Sequence, residues 1–372
     1  MTDRNGSNVF FASLRAGFKE NLLEKVGRLF RKAGLHTTLA HNDLVAVKLH
    51  VGEEGGTAYV RPDFVRVIVG EIKKAGGTPF LADTNTLYRG LRSTPVGHLD
   101  LANRHGFTLP IVGAPFIVCD GVAGQNHCTV RIDQSHFQEA FIASDIVRAD
   151  ALISVAHFKL HLGAGFGGAI KNVAMGCASV AGKLAQHCTI RPRVDEKVCT
   201  ACGRCINVCL PEAIRLEEKT ALIDSLMCTG CGECIAACPV GAIKIKWDAT
   251  SKDLQERMVE YLYAVVKDKG AKMGYLNFLT QITPGCDCMP FSDAPIVPDI
   301  GILASQDPIA IDQASIDLVN QSEGSQNTAL RKNLRSGEDK VRAVYDEIDW
   351  EVQLRYGEQL GLGTRAYRLV TL

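Results

Sequence analysis

Eight of the fourteen cysteines crowd into positions 199–238, and their spacing repeats. The run Cys199-x-x-Cys202-x-x-Cys205-x-x-x-Cys209 returns 29 residues later as Cys228-x-x-Cys231-x-x-Cys234-x-x-x-Cys238. Ala213-Ile214 and Ala242-Ile243 keep the same offset, so the segment is an internal duplication. Disulfide frameworks belong mainly to small exported domains, and a chain of 372 residues is not small, so a metal site is the expected use of these thiols. Three closely spaced thiolates can wrap three corners of an iron–sulfur cubane from one loop. The fourth cannot easily fold back, and in two-cluster proteins it reaches the neighbouring cube. The spacing therefore predicts two 4Fe–4S clusters. Cys199, Cys202, Cys205 and Cys238 would hold one; Cys228, Cys231, Cys234 and Cys209 would hold the other.

Gly203, Gly230 and Gly232 let the backbone approach the sulfides and point amide hydrogens at them. Pro239 follows Cys238 directly, whereas Leu210 separates Cys209 from Pro211, so the two turns are expected to differ. Zinc is the competing use, but four-cysteine zinc sites usually take two separated C-x-x-C pairs rather than three cysteines in one run plus a fourth. Iron–sulfur centres pass single electrons and are oxygen-sensitive, which suits an anaerobic or well-reduced host.

The remainder is long enough, at 46% hydrophobic residues, to bury a full core in a second domain. Formal net charge is zero, which argues against a nucleic-acid partner, since such proteins show a basic excess or stripe. Positions 1–17 lack the continuous apolar stretch of a signal peptide, and no later run reaches membrane-spanning length. A cytoplasmic protein with no membrane partner is the expectation.

Outside the cysteine segment, short apolar runs alternate with helical patterns. Strands are expected at 44–49, 79–82, 110–112, 116–119, 151–156 and 300–304, and helices from Pro62 to the Gly76-Gly77 stop, at 254–266 and at 309–319. This rhythm predicts an α/β fold, a mainly parallel sheet covered by helices, with an inserted small α+β two-cluster ferredoxin-like domain. The expected boundaries are 1–192 for the first part of the α/β domain, 193–248 for the insert, and 249–372 for the completing part. Residues 321–339 are polar and are expected to form a loop or short helix. Ligands of such sheets gather beyond the carboxyl ends of the strands. There the sequence places His50 and Glu53, Asp83 and Asn85, Asp120, and His157 through His161.

The cysteine segment resembles the bacterial two-cluster ferredoxins. The rest resembles the domain-of-unknown-function 362 family, many of whose members carry such an insert. The matching words are Val47-Lys48-Leu49-His50, Asp83-Thr84-Asn85-Thr86-Leu87-Tyr88, Asp120-Gly121 and His157-Phe158-Lys159-Leu160-His161. Gly165-Phe166-Gly167-Gly168-Ala169-Ile170-Lys171-Asn172 and Met175-Gly176-Cys177 follow; Cys286-Asp287-Cys288, 299–305 and 307–312 complete the series. Family members commonly carry glycine where this chain has Leu160. The resemblance implies a fold and a cluster content, and no particular reaction.

A second set of candidates lies outside the duplicated motif. His157, Lys159 and His161 follow an apolar strand, and in an extended segment they share a face by alternation; they are either ligands or loop histidines bonded to backbone. Gly163-x-Gly165-x-x-Gly168 has the letters of a dinucleotide fingerprint without its context. Its amides, with Lys159 and Lys171, could hold an anionic group, or the glycines could serve only a tight loop. Cys286 and Cys288, with Cys177, His187 or the histidine pair, could complete another metal centre or form a redox-active thiol pair, or could simply pack. His98 and His105 are expected on one helix, and Cys119, Cys128 and Cys188 are expected to be structural.

Three functions fit these features. In the first, the clusters relay electrons to or from a substrate or metal site in the α/β domain, making an oxidoreductase whose catalytic candidates are His157, Lys159, His161 and Lys171. In the second, the chain is a non-catalytic electron carrier, or docks a partner or a metal. The partner would be a redox protein or a small-molecule substrate. In the third, the clusters are structural, as in some nucleic-acid enzymes, and the neutral charge argues against it.

Overall fold

The computed structural model describes residues 6–88, 90–187, 192–209, 211–228, 232–244 and 249–372. Cys188, Leu210, Gly230 and Cys231 lie outside them.

The largest sheet among the described residues has eight strands: β1 (Ser7–Ser13), β2 (Leu44–Lys48), β3 (Thr78–Asp83), β4 (Phe116–Val118), β5 (Ala151–His157), β6 (Met273–Leu279), β7 (Gly301–Ser305) and β8 (Tyr367–Thr371). Their spatial order is β8-β1-β7-β6-β5-β2-β3-β4. Neighbours from β6 through β5, β2 and β3 to β4 are parallel, β1 and β8 are parallel, and β7 is antiparallel to both β6 and β1. The molecule is thus an α/β protein with a mainly parallel sheet.

Strand side chains alternate between the two faces of a sheet. Val45 and Val47 of β2, with Ile153 and Val155 of β5, enter one core beneath helices α1 (Leu22–Lys32) and α2 (Pro62–Lys74). Ala46 and Leu152 enter the opposite core, beneath α3 (Ala169–Cys177), α5 (Ser251–Lys269) and α6 (Pro308–Gln321). Burial on both faces explains why these strands read as continuous apolar runs. The strands after the cysteine segment, β6 and β7, pair with β5 and β1, which precede it.

Residues 110–112, expected as a strand, belong to a short helix, Leu109–Val112. Proline in its first turn costs no hydrogen bond, and Gly113 in the left-handed region ends it. His98 sits within helix Pro95–Arg104, but His105 is its C-terminal cap, stacked on Tyr59. The glycine-rich segment is a hairpin, Lys159–His161 against Gly165–Gly167, leading directly into α3.

The cysteine segment carries its duplication into three dimensions. Gly203 and Gly232, at φ of 72° and 76°, open the short helices Arg204–Asn207 and Glu233–Ala237, which carry Cys205 and Cys234. Val194 pairs with Ile243, and Ile214 with Ile223. Each two-stranded pair therefore takes one strand from each repeat.

Candidate functional site

Two hollows lie between the interleaved repeats. The first is lined by Cys199, Cys202, Cys205 and Cys238, with Leu216, Ala221, Val240 and Ile243. The second is lined by Cys209, Cys228 and Cys234, with Val208, Ile214 and Ile223. In both, the fourth cysteine of one repeat joins the first cysteines of the other. The backbone amide of Ala201 donates to Cys199 Sγ at 3.4 Å and, against burial, holds that thiol below its ordinary pKa; the amide of Ala242 donates to Cys238 Sγ at 3.1 Å. No disulfide joins the described cysteines. Convergent thiols, apolar walls and inward amides are a donor set suited to iron–sulfur cubes.

A second assembly occupies the carboxyl ends of β2, β3, β5 and β6. Lys48, in the last position of β2, is buried and meets Asp83 Oδ1 at 3.1 Å. Asp83 Oδ2 accepts from Arg92 at 3.0 Å and lies 3.4 Å from His98 Nε2. Burial alone would raise the Asp83 pKa, but the charges of Lys48 and Arg92 hold it well below the usual carboxylate range. Arg92 extends the network to His50 Nε2 at 2.6 Å, and Tyr88 donates to Glu53 at 2.9 Å. Burial and the Arg92 charge push the His50 pKa well down.

The hairpin and the 284–289 loop complete this end. Asp287 Oδ1 lies 2.8 Å from His157 Nδ1, and its Oδ2 lies 2.7 Å from Lys159 Nζ, a close ion contact not aligned as a hydrogen bond. Burial opposes ionisation of Asp287, yet His157 and Lys159 hold its pKa far below normal. Lys171, from the first turns of α3, donates to Cys286 Sγ at 3.7 Å, and the Cys288 amide donates to the same sulfur at 3.4 Å. The Cys288 thiol, then Lys171 and the adjoining His161 ring, outweigh burial and hold the Cys286 thiol well below its ordinary pKa. The same contact, with burial, raises the pKa of the Cys288 thiol.

Helix α4 (Val180–His187) connects the two assemblies. Val180 and Leu184 share an apolar cluster with Leu87 and with Cys205, Cys234 and Cys238, and they stand against Gly232 at the wall of the second hollow. On the same helix, His187 feels Lys171, His161 and Cys286, with burial lowering its pKa to about 3. Lys183 donates to the Ala178 carbonyl at 2.8 Å and to Thr84 Oγ1, and burial lowers its pKa to about 8. Asp120 accepts from the Asn85 side chain at 2.8 Å, and burial raises its pKa.

His157, Lys159, His161, Lys171, His187, Cys286 and Cys288 are thus brought together. Cys177 is not: it lies in the apolar core with Cys119, and burial pushes its thiol up to about 12. The strand-end assembly contains no three His, Cys, Asp or Glu ligand atoms within 4.8 Å of one another; among the described residues only His136, Asp253 and Glu256 meet that condition. Sequence reasoning missed Arg92, Lys183 and the Asp287 partnerships. A signal existed for Lys48, a charge at the end of a strand buried on both faces.

A family model described as "Domain of unknown function (DUF362)" matches residues 45–317. No curated protein matches the chain. Among solved structures, the lactate racemase apoprotein from Thermoanaerobacterium thermosaccharolyticum is similar at 16% identity and a TM-score of 0.37; the likeness covers 75% of this chain and 52% of that one. The chain therefore spans about half the length of that protein. No helix among the described residues is long and apolar enough to cross a membrane.

Proposed function

The chain belongs to the DUF362 family, and from that premise we propose that it is an iron–sulfur oxidoreductase: residues 193–248, as an inserted module, hold two 4Fe–4S clusters, and electrons pass between them and a reaction site at the strand ends. The crossed membership of the hollows carries this reading. Cys238 joins Cys199, Cys202 and Cys205, and Cys209 joins Cys228 and Cys234. Cys231, outside the described residues, supplies the remaining thiol by its place in the repeat. Exchange of the last ligand is characteristic of two-cluster ferredoxins, and zinc sites have no need of it.

When bound, the clusters supply reversible one-electron chemistry. The chain's own residues do the rest. The amides of Ala201 and Ala242 donate to cysteine sulfur, and apolar side chains line much of both hollows. Leu87, Val180 and Leu184 pack against Gly232 at the wall of the second hollow, which joins that wall to α4. At the strand ends Lys159, Lys171 and Arg92 stand paired with Asp287, Cys286 and Asp83, so the site is a set of balanced ion pairs whose ammonium and guanidinium donors can hydrogen-bond to negative charge developed on reduction.

The test is anaerobic purification with iron and acid-labile sulfide analysis. About eight of each per chain is expected. A colourless protein holding zinc refutes the reading. A loaded protein that exchanges electrons with carriers but whose rate is untouched by Lys159→Met and Lys171→Met restricts the function to electron carriage.

A further inference from the structure

The 284–289 loop contains chemistry that the iron–sulfur module does not use. Cys286 and Cys288 stand two residues apart in a turn closed by the Met289 amide and the Cys286 carbonyl at 3.0 Å. The turn is anchored by the Tyr345 hydroxyl on the Pro284 carbonyl at 2.6 Å. Cys286 Sγ is buried and accepts from the Lys171 ammonium and the Cys288 amide. Cys288 is itself only partly buried.

We propose that Cys286 and Cys288 are a redox-active dithiol, cycling between two thiols and a disulfide within the strand-end site. Its electron supply rests on the iron–sulfur reading above. Oxidation forms the Cys286 Sγ–Cys288 Sγ bond, releases the Cys288 proton and gives up two electrons. Reduction breaks that bond, takes up two electrons and one proton, and returns Cys286 as thiolate beside Lys171 and Cys288 as thiol. The electrons arrive singly through two one-electron centres, fed by a one-electron carrier protein. The pair stores both, so the site serves substrates that react by two electrons.

Three observations favour this over the alternatives. The Cys288 amide already reaches Cys286 Sγ at 3.4 Å and the chain is already turned, so disulfide closure needs little backbone movement. A metal ion is disfavoured because a lysine ammonium meets the Cys286 sulfur and, among the described residues, no three His, Cys, Asp or Glu ligand atoms there lie within 4.8 Å of one another. Simple packing is disfavoured because Cys286 is surrounded by donors, whereas Cys177, in the apolar core, is held as a neutral thiol.

The full-length protein, purified without air, is equilibrated in mixtures of reduced and oxidised dithiothreitol, alkylated with iodoacetamide and mapped by peptide mass. Residues 286 and 288 are expected to lose alkylation together, along a two-electron curve of about 30 mV per tenfold change in ratio. In Cys288→Ser, Cys286 should stay alkylatable throughout while iron and sulfide are unchanged. In Lys171→Met, alkylation of Cys286 at pH 6 should slow by about tenfold or more. Two thiols that remain alkylatable at every ratio in the wild-type protein overturn the proposal, as does additional iron or zinc lost on Cys286→Ser. A two-electron couple in a protein without iron overturns only the iron–sulfur reading. Full iron without the couple overturns only this one.

Discussion

Replacing Asp287 by asparagine keeps the shape of the side chain and removes one negative charge from a buried group of three. Asp287 is 3% exposed and lies between His157, 2% exposed, and Lys159, 10% exposed, at 2.8 and 2.7 Å. The Lys159 amine would keep only the His157 carbonyl, at 3.0 Å. Removing one member of a buried ion pair costs about 3–5 kcal/mol, because the cation left behind has lost both water and partner. That is a large share of the roughly 5–15 kcal/mol that holds a domain together. It should lower the melting temperature by an amount of the order of 10 °C. Calorimetry under anaerobic conditions measures it, with Glu217→Gln as control, since the exposed Arg215–Glu217 pair should be worth less than about 1 kcal/mol. The double variant Asp287→Asn/Lys159→Met removes the stranded cation and should recover part of the loss. The folded-state pKa of Asp287 lies below the unfolded value, so its contribution is present above about pH 4 and fades as the pH falls. The gap between wild type and Asp287→Asn should therefore narrow in acid. A single variant that melts with the wild type, or a double variant no better than the single, refutes the claim that this carboxylate neutralises a buried cation.

Cys238→Ser should remove about half of the iron and spare the Cys228/Cys234 hollow, and Cys209→Ser should do the converse; iron analysis with electron paramagnetic resonance separates them. Gly232→Ala should cost more stability and cluster retention than Gly203→Ala. Both glycines have positive φ, about 1–3 kcal/mol against any side chain, but a Cβ at 232 meets Val180 at 3.3 Å while one at 203 meets only Leu216 at 3.9 Å. Lys183 has a folded-state pKa of about 8 against an ordinary value of 10.5, so the unfolded chain binds more protons between those limits. Wild type should accordingly gain on Lys183→Met as the pH rises through that window, by up to about 3 kcal/mol in denaturant titrations.

What could be read from the sequence was local. The cysteine periodicity anticipated which described thiols line each hollow, because the reach of a short loop decides which of them can face one space. Apolar runs ending in His50, Asp83 and His157 marked strand ends, since a parallel strand turns polar only where it leaves the sheet. β6 escaped because Gly274 and Asn277 interrupt the apolar run of Met273–Leu279, which, buried on both faces, has no alternation to count instead. The partnerships of the second assembly escaped for a different reason. Lys159 and Asp287 are separated by more than a hundred residues, and so are Lys171 and Cys286. Spacing carries no information at that range. Only pairing of β6 beside β5 brings them together.

That pairing also leaves the cysteine segment between β5 and β6 free of the sheet's own pairing. The two strands are parallel neighbours, so the connection between them must cross one face whatever its length. Helices α3, α4 and α5 belong to that connection, and the cysteine segment leaves from the end of α4. The cost of a longer crossover grows only logarithmically with its length. The exit point is what matters for chemistry. α4 ends at His187, beside Lys171, His161 and Cys286, while its Val180 and Leu184 stay under Gly232. One short helix therefore sets the distance between the thiols of the module and those of the strand-end site. A substitution that shifts α4, such as Gly182→Val, whose added Cβ would meet the Phe141 carbonyl oxygen at 2.6 Å, should uncouple the two assemblies while leaving each intact. Iron content and the Cys286–Cys288 couple would then persist, and only electron transfer between them would slow. Loss of iron in that variant would mean that α4 supports the module itself and does not merely connect it.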